Sequence, residues 1–389
     1  MFHMKTLHNL HLNSNARMDV YNSMSMPAAY HAPEVEYKAV RENALLVDYS
    51  HMAIVSVTGE DAWALVNQMA SADVSAIRDE QGIYSLILND DGTIRGDAYF
   101  LCTDEGYYIL SEDLTADEII TSLNTILENA EELDIQERPE ISALNEADWG
   151  AILLEGPYSW EVLAEIYGFD IIGLPYHEFM PTDDGLNVFR CGKHGEFAYL
   201  MLGEQRALAE LWMRLLEVGE KYLLKTGGLE YQKIVRIENP VWDASIYAAC
   251  SYNPVELQLQ SAVQYDKENF TGKTAVETLS RNGAERKLTG IIPVTTCESI
   301  QAGDNVLVGE EVVGSVITSI FSPARRSVIA LAMIDKDYAY SDIAGFTLST
   351  AHGDVAAMTQ GLPFLYNFSM LVNPAEHSFI DPAKLRSAL

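Results

Sequence analysis

Basic residues are scarce: 25 Lys and Arg stand against 57 Asp and Glu, a net charge of -32. A field of that sign repels phosphate backbones and anionic lipid at long range, so neither nucleic acid nor a membrane is expected as a partner. Cysteine is also rare. Cys102, Cys191, Cys250 and Cys297 lie far apart with no CxxC pair, which excludes a disulfide scaffold and suits a reducing cytoplasm. No apolar run approaches the length of a bilayer-crossing helix, and the opening "MFHMKTLHNLHLNSNARM" lacks the continuous apolar core of a secretory signal. A cytoplasmic protein is expected. GxSxG, HExxH and GxGxxG are missing, "NFTGK" lacks the glycine that opens a phosphate-binding loop, and nine histidines are scattered without ligand spacing. No resident metal is expected.

What remains is a globular composition, 48% hydrophobic over 389 residues, enough for two or three cores. Residues 1 to 20 carry little pattern and read as a loose arm. A short helix is expected over 37–44 and a β-branched strand in "AIVSVTG". The helix that follows carries Ala62, Leu65, Val66 and Met69 on one stripe. Residues 82 to 111 read as a three-strand meander broken at "NDDG" and "TDEG", and Thr115 with Glu118 has the spacing of a capping box. Together 53–135 makes a compact α+β lobe. A second α/β region follows, with strands at "GAILLEGP" and within "LNVFRCGKHGEFAYLML". Beyond a boundary near 282–285, short strands and turns predict a C-terminal β barrel or sandwich over 284–389.

One stretch stands out chemically. In "NDDGTIRGDAYF" the alternation of a strand puts Thr93, Arg95, Asp97 and Tyr99 on one side, and Asp is depleted in strands. Taken alone, Asp97 is either half of a surface ion pair with Arg95 or a group aimed at a ligand, which Gly96 would let approach closely.

Several phrases in the same order are similar to the glycine cleavage T-protein family of folate-dependent aminomethyltransferases. "MPAAYHAPEVEYKAVRENALLVDYSHMAIVSVTGEDAWALVNQMASADV" resembles the family's opening, with Asp48 and Ser50-His51-Met52 in place. "GIYSLILNDDGTIRGDAYF" resembles the segment carrying the family's catalytic aspartate. "RIENPVWDASIYAACSYNPVE" resembles a later one through Arg236, Glu238, Pro254 and Glu256, and "NFTGKTAV" and "VGSVITSIFSPARRSVIALAMI" continue the series to about residue 370.

The resemblance implies an α+β, three-lobed ring. Two interleaved α/β lobes over 17–283 would form the folate-binding region, followed by the C-terminal barrel. It implies tetrahydrofolate as cofactor, with Asp97 near the nitrogen that accepts the one-carbon unit. Tyr247 or His51 would handle a proton, and Tyr84, Met52, Ser111, Glu196, Tyr199 and Arg236 would contact the cofactor. The chain also departs from the pattern. Ser111 replaces an Asn, Gly192-Lys193-His194-Gly195-Glu196 replaces Gly-Tyr-Thr-Gly-Glu, and the glutamate that grips the pterin aligns with Tyr199 or Leu200. Gln232 and Tyr366 replace arginines, and Tyr247 replaces an aspartate.

These exchanges point toward a methyltransferase or demethylase that moves a methyl group from a small O-, S- or N-methyl donor to tetrahydrofolate. The alternatives are a glycine-cleavage aminomethyltransferase working on a lipoyl carrier protein, and a non-catalytic folate-binding or scaffold homologue. For individual residues a plainer role stays open: Tyr84 as a core aromatic, His51 as a hydrogen-bonded support, Glu196 in a solvated bend, Tyr247 as a cavity filler, Arg236 paired with Glu238.

Overall fold

The computed structural model describes residues 7–295 and 300–386; positions 1–6 of the expected arm and Cys297 lie outside them. The chain divides into two compact units. The first comprises Met1–Ser85, Asp97–Tyr231 and Asn367–Leu389, the second Leu86–Gly96 and Gln232–Tyr366.

Besides a separate two-stranded sheet of Arg17–Tyr21 and Met24–Ala29, the first unit is built on two large sheets. In one, the order is Gly82–Leu88, Ile94–Thr103, Gly106–Ser111, Ala53–Thr58 and Glu140–Ala143, with the tip of the opening hairpin counted in the second unit. The expected meander is therefore present. Its helix, Ala116–Leu127, starts with the capping box: Thr115 Oγ1 accepts from the Glu118 amide, and Glu118 accepts from the Thr115 amide at 2.8 Å. Such a cap contributes about 1 kcal/mol, and Ile119, Leu123 and Leu127 then recur on the buried side of the helix.

The other sheet runs Phe179–Pro181, Asn187–Cys191, Ala198–Glu204, Trp149–Glu155, Leu45–Asp48 and Lys225–Gly227. Its two central strands are buried, and the helices Ser159–Tyr167 and Gln205–Gly219 lay Val162, Leu163, Leu208, Leu211, Trp212 and Leu215 against it. The strand Leu45–Asp48 escaped the sequence reading. It is four residues long and pairs antiparallel with Trp149–Glu155 and parallel with Lys225–Gly227, both remote in sequence.

From residue 7 onward the chain is not a loose arm. The helix Leu7–Asn13 buries Leu7 and His11, and His11 joins Asp48 (2.7 Å) to the Tyr30 hydroxyl (2.5 Å). A single apolar anchor and one buried polar chain fix the segment, a signal too sparse for periodicity to reveal.

The second unit holds a closed six-stranded barrel in the order Arg286–Pro293, Ser327–Asp335, Glu311–Ser322, Asn305–Val308, Ala344–Thr350 and Gly353–Gln360. Ile291, Val306, Val316, Ile334 and Leu348 fill it. Closure removes sheet edges. A second core in this unit gathers Trp242, Tyr247, Phe270 and Leu331. The segment after the barrel, Asn367–Leu389, groups with the first unit and not with the barrel as the sequence suggested. Among the described residues no helix is long and apolar enough to cross a membrane, and no cluster of His, Cys, Asp and Glu suits a metal.

Candidate active site around Asp97 and Lys193

Within the first unit, the strand Ile94–Thr103 and the end of Gly106–Ser111 meet the bend between Asn187–Cys191 and Ala198–Glu204. Asp97 is 0% exposed there. Its carboxylate accepts from Tyr84 Oη at 2.7 Å and pairs with Lys193 Nζ at 2.8 Å. The same ammonium lies 3.4 Å from Glu112 and within 6 Å of the Tyr84 and Tyr99 rings. The cation on Asp97 thus comes from 96 residues away along the chain, where the sequence reading had weighed nearby Arg95. Burial, and then the charge of Asp97, push the Tyr84 phenol well above its usual range, so it stays a neutral donor.

Gly192 and Gly195, with φ of +150° and +77°, bracket Lys193 and His194 in the bend. A Cβ at Gly192 would come within 3.0 Å of Ala198 Cβ, so both the turn and the close packing call for glycine. Inside the bend, His194 Nδ1 meets Glu155 at 3.0 Å, and Tyr231 Oη donates to the same carboxylate. Burial alone would raise the Glu155 carboxyl; the charge and hydrogen bond of His194, with Tyr231 and Arg41, hold it below its usual range. The small cavity in front of these groups is lined by Tyr49, Met52, Tyr99, Glu112, Leu153, Glu155, Cys191, Gly192, Lys193, His194 and Leu200. It measures about 20 Å³, room for about one water. A larger ligand requires the lining side chains to move. Burial pushes the Cys191 thiol upward, which removes it as a nucleophile.

The other residues singled out from the sequence fall into four groups. Tyr84 and Met52 lie at the cavity, Tyr84 on Asp97 and Met52 on the wall. Ser111, Glu196 and His51 lie around it, off the cavity wall. Ser111 Oγ donates to the Asp97 backbone carbonyl (2.7 Å) and accepts from the Leu114 amide, which ties the strand end to the following turn. Glu196 is buried against Arg41 (2.7 Å) and Ser369 and stands off the cavity wall. The His51 ring tilts against Tyr49 and Tyr21 and is likewise off the wall.

Tyr199 is a correction: it packs in the helix-side core with Ile152 and Leu154, because strand alternation gives the cavity to Leu200. Arg236 and Tyr247 lie in the second unit. Arg236 pairs with Asp243 at 3.3 Å, while Glu238 accepts from Ser322. Tyr247 is a buried core aromatic beside Trp242, and its hydroxyl has no hydrogen-bond partner among the described residues. Lys193, Glu112 and Glu155 were not singled out from the sequence, and His194 was noted only as part of the altered Gly-rich bend. A lysine between two glycines reads as a solvated loop until its distant carboxylates are known.

Two outcomes follow. Burial outweighs Arg41 and Ser369 and lifts the Glu196 carboxyl to about 7 from its ordinary 4.5. The folded state then binds the extra proton across that window, so wild-type stability falls as pH rises from about 4.5 to about 7. Glu196→Gln, measured by thermal unfolding against pH, should flatten that slope; an unchanged slope refutes the assignment. Tyr247→Phe removes a desolvated, unpartnered hydroxyl, and its thermal midpoint should hold or rise. A clear fall in the midpoint would mean that the hydroxyl is bonded in solution.

Comparison with known families agrees with this architecture. Residues 7–267 match the GCVT N-terminal domain, and residues 286–365 match the glycine cleavage T-protein C-terminal barrel domain. An aminomethyltransferase of Alkaliphilus oremlandii (strain OhILAs) is 28% identical over 346 residues, 86% of this chain and 89% of that relative. One from Alkaliphilus metalliredigens (strain QYMF) is 29% identical over 332 residues, 82% and 86% respectively. The crystal structure of the glycine cleavage system aminomethyltransferase T from Bartonella henselae shares the fold. Its TM-score is 0.76 at 21% identity, over 94% of this chain and 99% of that one. The chain therefore belongs to the glycine cleavage T-protein family, as a folate-dependent one-carbon transferase.

Proposed function

We propose that this protein transfers an aminomethyl-type one-carbon unit from a carrier-bound donor to tetrahydrofolate, with a lipoyl carrier protein as partner and the cytoplasm as its location. Relatives bearing the aminomethyltransferase name along more than four-fifths of both chains support this. The observation that carries it is the buried Asp97 with its phenol and ammonium partners, on the segment similar to the family's catalytic one.

The chemistry of the site suits a flat reduced pterin. Tyr49, Tyr99 and Met52 supply apolar walls, and Lys193, Glu112 and His194 supply donors and acceptors among them. When bound, tetrahydrofolate supplies the nucleophilic nitrogen that accepts the one-carbon unit. Asp97, kept dry and held by Lys193 and Tyr84, is a fixed negative charge that favours positive charge developing nearby. Tyr84 holds the carboxylate in place while Lys193 moves to meet the ligand. His194, its Nδ1 turned to Glu155, carries the proton required by the departing donor atom through its other ring nitrogen, Nε2. Tyr99 and Met52 restrict water around these groups.

A second reading, transfer from a small O-, S- or N-methyl donor, is favoured by one observation. A protein ammonium already occupies Asp97, where a cationic aminomethyl donor would have to compete and a neutral O-methyl donor would not. One experiment separates the two. The purified protein is incubated with tetrahydrofolate and either lipoylated, aminomethyl-loaded carrier or a panel of methoxyaromatic, sulfonium and N-methyl compounds, and the products are weighed by mass spectrometry. Methylene-tetrahydrofolate formed only with carrier is expected. Methyl-tetrahydrofolate formed from the panel without carrier would overturn the carrier reading.

A further inference from the structure

We propose that Lys193 and Glu112 together bind the amide edge of the pterin ring, a placement that rests on the tetrahydrofolate reading above. The two side chains come from different sheets and meet on one cavity wall, Nζ 3.4 Å from the Glu112 carboxylate. An ammonium offers only donors and an ionised carboxylate only acceptors. A 2-amino-4-oxo pteridine presents the matching sequence along one edge: a carbonyl oxygen, then a ring N–H, then an amine. Lys193 takes the carbonyl oxygen. Glu112 takes the two parallel N–H groups, the fork geometry in which carboxylates bind most strongly.

The positions where the family's pterin-gripping glutamate aligns leave this task open, since Tyr199 is in the helix-side core and Leu200 is apolar. The other carboxylate on the wall, Glu155, is engaged by His194 and Tyr231. Asp97 lies behind the wall under Lys193, and toward this edge it acts as a positioning residue that aims the ammonium. Its electrostatic role reaches a ligand only as Lys193 shifts toward the carbonyl.

The test is a protein–ligand double-mutant cycle read by calorimetry on the full chain, with 5-formyltetrahydrofolate and an analogue lacking the 2-amino group. Wild type should bind the analogue on the order of 10- to 100-fold more weakly than the parent. Glu112→Gln should weaken the parent by a similar factor and lose most of the discrimination. Glu112→Asp, which keeps a charge beside Lys193 but shortens the reach, should behave the same way and guards against a folding defect in the first variant. Lys193→Met should weaken both ligands equally, because both retain the carbonyl. Glu112 variants that keep the wild-type ratio overturn the Lys193–Glu112 placement while leaving folate binding intact. A wild type that binds no reduced folate overturns the tetrahydrofolate reading, and this placement with it.

Discussion

Lys193→Met should lower the unfolding free energy by about 3–5 kcal/mol, the usual consequence of stranding one member of a buried ion pair. Asp97 has no exposure to water and keeps Tyr84, but a phenol does not balance a full charge. Glu112, 3.4 Å from the same ammonium, is left facing it as a like charge in a poorly solvated space. Thermal unfolding reads the loss, and the double variant Lys193→Met/Asp97→Asn supplies the control. With both charges removed the pair is absent, so more than half of the lost stability should return. A Lys193→Met protein as stable as wild type would show that the lysine does not occupy this position in solution.

The second large effect is on chemistry. Asp97→Asn should reduce the single-turnover rate of one-carbon transfer by on the order of 10²- to 10³-fold, the cost of deleting one preorganised electrostatic group. Affinity for reduced folate should change only a few-fold, because the wall residues Lys193 and Glu112 remain. Asparagine keeps the shape and can still accept from Tyr84, so a correctly folded variant isolates the charge. Transfer at the wild-type rate would remove Asp97 from the mechanism. A large loss of affinity with the rate intact would make it a binding residue.

Much of this was legible in the sequence where the determining contacts are local. Thr115 and Glu118 lie three residues apart and announce their helix. The Asp-Gly turn and the alternation after it announce the strand, and a carboxylate in that strand drew attention to Asp97. What was illegible depends on contacts between distant segments. Leu45–Asp48 becomes a strand because Trp149–Glu155 and Lys225–Gly227 flank it, and its four residues carry too short a pattern to declare that alone. His11 is held by Asp48, 37 positions onward. Lys193 has the composition of a surface loop, and only the approach of two sheets turns it into a buried cation. Tyr199 and Leu200 show the same limit at finer grain, because which neighbour faces the cavity is decided by strand register and not by residue type.

The paired glycines at 192 and 195 present the intervening dipeptide as a two-residue insert whose side chains reach into the cavity wall. They set the backbone course, but each residue between them is tied to a buried carboxylate, Lys193 to Asp97 and His194 to Glu155, so a change at either position calls for a matching change at its partner. A compact library for redirecting the enzyme to other donors therefore varies 193 together with 97, and 194 together with 155, so that no buried charge is stranded.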